Sequence, residues 1–115
     1  MGIGIEMKSS RLNEGVALLL KLSRYLDELD KDESSVWFRK CADELQKGLG
    51  RKQLLEVCRS ILHSLDNGPV RIPDLYFAHP DGSPDIGRTD AYLETIRAVR
   101  RFARGGVPPW SFFII

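Results

Sequence analysis

Leu12, Val16, Leu19, Leu22, Leu26 and Leu29 recur three and four residues apart, which gathers them on one face of a helix of about five turns. A second stripe comes next in Phe38, Cys41, Ala42, Leu45 and Leu49. Its helix can be capped by Asp30 with Glu33 three residues on, or by Ser34 and Ser35, and Gly48 and Gly50 offer its stop. The third stripe is Leu54, Leu55, Cys58, Ile61, Leu62 and Leu65, closing at Asp66-Asn67-Gly68-Pro69, where Asn or Gly can take a left-handed C-cap. Pro69, Pro73, Pro80 and Pro84 then forbid a continuous helix, since each lacks a donor and restricts the residue before it. Thr89 or Asp90 can cap a last helix with Tyr92, Ile96, Val99 and Ala103 inside, ended by Gly105 and Gly106 ahead of Pro108 and Pro109. The pattern predicts an all-α fold. It is a small bundle of about four helices in one domain over residues 1–115, with a long structured loop over 69–88 and an apolar C-terminal tail, WSFFII.

Size and composition agree with that picture. A chain of 115 residues can bury about two thirds of its unfolded surface, and 43% hydrophobic with 29% charged residues is a globular balance. The longest apolar runs fall far short of the ~20 residues of a membrane helix, so no membrane association is expected. The opening MGIGIEMKSS has neither a charged n-region nor a sufficient apolar h-region, and Glu6 stands where a myristoylation signal wants Ser or Thr. Cys41 and Cys58 sit within helical patterns without metal-like spacing, which reads as two reduced core thiols in a cytoplasmic protein. Trp110 to Ile115 is too apolar to leave in water. It should fold back on its own bundle, the alternative being insertion into another chain.

Net charge is +1, but the charges are unevenly placed. Residues 27–33, DELDKDE, hold Asp27, Glu28, Asp30 and Asp32 at the junction of the first two helices. Residues 97–104, RAVRRFAR, carry Arg97, Arg100, Arg101 and Arg104 within an arc of about 100°. A solvated face partly paired with the DELDKDE acids accounts for the arginines, and an anion-facing patch is the functional alternative. The missing aromatic platform and the near-zero net charge speak against nucleic acid.

The loop reads PDLYFAHPDGSPDIGRT from Pro73 to Thr89. Pro80-Asp81-Gly82 suits a turn, with Pro setting φ and Gly free to take positive φ after it. Leu75, Tyr76 and Phe77 are expected to form a lid on the core, with the acids turned outward; a partner-facing aromatic patch is the other use of such residues. His79-Pro80-Asp81 is the tripeptide of J-domain cochaperones, but the preceding PVRIPDLYFA contains two prolines and cannot supply the long basic helix of that family. Asp81, Ser83 and Asp85 imitate three ligands of an EF-hand loop, yet Ile86 replaces its glycine and Tyr92 its bidentate glutamate, which argues against calcium. His63 and His79 have no nucleophile held beside them by local spacing. The reading is of no catalytic residue, no metal and no cofactor.

The leucine-rich first helix, Trp37-Phe38 at the start of the second, the D-L-Y-F segment Asp74–Phe77 and the arginine-bearing last helix resemble a family of short bacterial helical domains of unknown function, over residues 11–104. Such chains are similar to the small immunity proteins of toxin–immunity pairs. That resemblance implies a non-enzymatic module that binds a cognate partner, a toxin domain, stoichiometrically. The surfaces expected to do so are the acidic junction (Asp27, Glu28, Asp30, Asp32) and the loop (Tyr76, Phe77, Asp81, Asp85). The alternatives are a nucleic-acid-associated or regulatory module using Arg97, Arg100, Arg101 and Arg104, and a homo-oligomeric structural protein, for which a homodimer is the simplest assembly.

Overall fold

The computed structural model describes residues 9–68 and 70–105. Helices α1 (Ser9–Glu28), α2 (Asp32–Gln46), α3 (Arg51–Asn67) and α4 (Ile86–Gly105) form a small all-α bundle, with a single 3-10 turn at Ile72–Asp74. Each predicted stripe faces the core. Leu19, Leu22 and Leu26 from α1 meet Phe38, Ala42 and Leu45 from α2, Cys58, Ile61 and Leu65 from α3, and Tyr92, Ile96, Val99 and Ala103 from α4. Burying each large side chain contributes about 1.5–3 kcal/mol against the conformational entropy of folding. The tail Trp110–Ile115 and the first eight residues lie outside the described residues.

The helices start and stop at other residues than the pattern suggests. Asp30 does not cap α2; it ends α1. It sits at φ 59°, with Asp30 N donating to Asp27 O (3.1 Å) and Lys31 N to Leu26 O (2.8 Å), which is the Schellman arrangement with Asp in the place glycine usually holds. Lys31 occupies the N-cap position of α2 without a side-chain bond, while Asp32 and Glu33 supply negative charge to its first turn. Ser35 is no cap either, because its hydroxyl crosses to α1 and donates to Ser23 O at 2.9 Å inside the core. Gly48, at φ +74°, ends α2 as expected. Gly68 is extended at φ −73°, ψ −178° rather than left-handed, the conformation that proline imposes on the residue before it.

The last helix begins earlier than Thr89 or Asp90. Asp85 Oδ1 accepts from Arg88 N at 3.1 Å and Asp85 O from Thr89 N at 3.0 Å, so Asp85 is the N-cap of α4. α1 and α4 run antiparallel, with Glu28 beside Arg88 at one end and Gly15 under the Phe102 ring at the other. A β-carbon on Gly15 would stand 2.2 Å from that ring, which is why the position carries none. Cys41 and Cys58 are buried free thiols, and burial pushes Cys41 up to about 12 and Cys58 up to about 11.

Candidate functional site

The loop is a short hairpin sealed against the bundle by one of its two faces. His79 O accepts from Gly82 N at 2.9 Å, Gly82 takes φ +89° as the turn requires, and Ala78 bridges Pro84 in antiparallel fashion. Asp81 locks the turn by accepting from both the hydroxyl (2.6 Å) and the N–H (2.9 Å) of Ser83, and those bonds hold its carboxyl below the usual carboxylate range. Side chains alternate across such a strand. Phe77 therefore points inward, 4% exposed, while Tyr76 beside it is 60% exposed.

Phe77 is pinned from every side. Its ring makes edge-to-face contacts with Tyr25 of α1 (centroids 5.6 Å apart) and Tyr92 of α4 (5.8 Å); Tyr25 and Tyr92 complete the triangle at 5.7 Å. Phe77 N donates to Thr89 Oγ1 at 2.9 Å, and Phe77 O accepts from Asp85 N at 2.8 Å. Arg88 lies 4.2 Å above the ring while pairing with Glu28. Tyr92 donates its buried hydroxyl to Ile72 O at 2.6 Å, and burial drives its pKa upward. The lid expectation holds for Phe77. Its ring thus presents no surface to a partner, and Asp85, half-buried as cap of α4 and 3.8 Å from His79 Nδ1, is engaged within the fold.

The outer face of the hairpin is apolar. Tyr76, Pro84 and Ile86 line one shallow depression with Thr89 and Asp90, and Ile86 is 70% exposed. Besides these two, Val36 is the only large hydrophobic residue exposed among the described residues. A one-sided hairpin in water ordinarily turns its polar residues outward; here the outward positions are Tyr76, Ala78, Pro84 and Ile86. Glu28 brings the acidic junction to the same end of the bundle through Arg88, although the two segments lie sixty residues apart in the chain. Asp27 pairs with Arg39 at 3.3 Å, but no described cation lies within ion-pair distance of Asp30, Asp32, Glu33, Asp81 or Asp90.

The arginine stripe is occupied differently from expectation. Arg100 makes a two-pronged pair with Asp66 (2.6 and 2.8 Å), holding that carboxyl below its usual range, and Arg97 pairs with Glu94 at 2.7 Å. None of these partners belongs to DELDKDE, whose acids reach Arg39 and Arg88 instead. Arg101 borders a polar depression with Ser10, Arg11 and Glu14 near the far end of α4 from the hairpin, and the charge of Arg104 acts on Asp66. A groove between α2 and α3, floored by Trp37, Leu49 and Val57, has Lys40, Glu44 and Glu56 on its rims.

Ser83 gives its hydroxyl to Asp81 rather than to His79. Among the described residues no cluster of His, Cys, Asp and Glu is placed to hold a metal ion, and no helix is long and apolar enough to cross a membrane. The residues that sequence reasoning missed are Pro84, Ile86, Thr89 and Asp90 on the outer face and Tyr25 and Arg88 against the Phe77 ring. Leu75-Tyr76-Phe77-Ala78 is apolar at every position, so the sequence carries no alternation that would tell the inner face from the outer. Comparison with family models, with curated proteins and with solved structures finds no match for this chain.

Proposed function

We propose that this chain is a non-enzymatic protein-binding module whose recognition end is the outer face of the hairpin, Tyr76, Pro84 and Ile86, with Asp90 beside them, Asp81 in the turn and the acidic junction at the same end of the bundle. The observation that carries the reading is the inverted hairpin: two large hydrophobic side chains stand in water on a rigidly pinned support that does not need them for its own packing. Interfaces gain most of their affinity from a few such anchors in a surround of weaker contacts. The acids that meet no cation among the described residues favour a basic partner and speed its approach. The resemblance to immunity proteins supplies the class of partner, a cognate toxin domain bound one to one in the reducing cytosol where Cys41 and Cys58 stay thiols.

The test is calorimetric titration of wild type and of the Tyr76→Asp, Ile86→Asp double variant against the polypeptide encoded next to its gene. Both positions are exposed, so the variant should melt as wild type does while losing at least about 100-fold in affinity, the equivalent of two anchors. Unchanged affinity in the double variant would overturn the reading.

A further inference from the structure

The hairpin's hydrogen bonds leave one of its edges open. Phe77 and His79 turn their backbone groups to the opposite arm: Phe77 O accepts from Asp85 N and His79 N donates to Ser83 O, both at 2.8 Å, while Phe77 N meets Thr89. Backbone groups alternate sides along an extended strand, so the N–H and C=O of Tyr76 and Ala78 face away from that arm. No described residue hydrogen-bonds to any of the four. Across the hairpin, Pro84 carries no N–H and Ile86 already belongs to α4, so the arm at 76–78 is the one able to take another strand. Unpaired edges are normally shielded by charge, proline or a covering element; this one has exposed Tyr76 and Ala78.

Resting on the reading of the hairpin as the recognition surface, we infer that this edge receives an extended segment of the partner protein as an added β-strand. Up to four main-chain hydrogen bonds to Tyr76 and Ala78 fix its register, and alternate side chains of the incoming strand fall on the face shared with Tyr76, Pro84 and Ile86. Those side chains are large and apolar. Charge selects the flanks: Arg71 holds Asp74 at 3.3 Å, Asp85 caps α4 beside His79 and Arg88 is committed to Glu28, whereas Asp81 and Asp90 meet no cation among the described residues. The segment therefore places apolar residues at alternate positions and carries lysine or arginine toward its ends.

The experiment titrates the isotope-labelled full chain with three capped hexapeptides and tracks amide exchange and chemical shifts. The first alternates lysine and isoleucine, the second is the same sequence with every amide N-methylated, and the third alternates glutamate and isoleucine. At saturation the first should slow exchange of the Tyr76 and Ala78 amides by about tenfold or more. The N-methylated peptide should give no such protection, and the glutamate peptide should bind at least about tenfold more weakly. Shifts confined to the Tyr76 and Ile86 side chains, without amide protection, would overturn strand addition and leave the recognition face standing. Silence of the whole hairpin at about 1 mM peptide overturns strand addition too, and counts against the face itself. Protection that grows with protein concentration and no peptide would identify a second copy as the occupant and overturn the proposal.

Discussion

Replacing Phe77 by alanine removes the ring that joins the hairpin to α1 and α4, and its effect can be worked from the structure. The side chain is 4% exposed and touches Tyr25 and Tyr92 edge to face at 5.6 and 5.8 Å. Truncating a buried phenylalanine costs about 3–5 kcal/mol, and each lost aromatic pair belongs to the upper part of that range. The hairpin is a loop and can settle partly into the space, so about 3 kcal/mol is expected. At about 4–8 °C per kcal/mol for a domain of this size, the melting temperature should fall by more than about 10 °C. Tyr76→Ala is the internal control: one residue away but 60% exposed, it should change stability by no more than about 0.5 kcal/mol. Urea unfolding of both variants measures the pair. Equal losses, or a larger loss for Tyr76→Ala, would refute the assignment of the two faces.

Asp30→Gly should raise stability by about 0.5–1 kcal/mol in urea titration, because Asp30 holds a left-handed conformation that glycine adopts without steric cost. Cys41 and Cys58 should resist a thiol reagent at pH 8 in the folded protein and react fast in urea, since burial pushes them up to about 12 and about 11. The Asp66–Arg100 pair lowers the folded pKa of Asp66, so its contribution is present above the unfolded aspartate value of ~3.9 and is lost as pH falls through the lower folded value. Asp66→Asn should accordingly be less stable than wild type at pH 7, with the difference closing in acid.

The helices were legible because Leu19, Leu22, Leu26, Ile96 and Val99 repeat at the helical period and nothing in the tertiary structure competes with that period. Their ends were not. Asp30 has the composition of an N-cap, yet the same short carboxylate side chain tolerates the left-handed region, and the close packing of α1 on α2 draws the chain into the reversal there. Asp85 was obscured by its neighbour two positions on: Gly87 is a poor helix former, so α4 reads as starting at Thr89, whereas the hydroxyl of Thr89 is taken up by Phe77. The candidate site was half visible. Tyr76 and the acids stand out by type, but placing Ile86 on their side and Phe77 behind them needs the hairpin register, which depends on long-range contacts with Tyr25 and Tyr92.

Presentation of the hairpin's outer face to a protein partner is best checked by mapping backbone and side-chain shifts on the labelled chain as the polypeptide encoded beside its gene is added. The affected signals should centre on Tyr76, Ala78, Ile86 and Asp90, extend to Asp30 and Asp32, and spare the Arg101 end of α4. Shifts centred on Arg101 and Arg104, or on the α2–α3 groove at Trp37 and Val57, would contradict a recognition role for the hairpin.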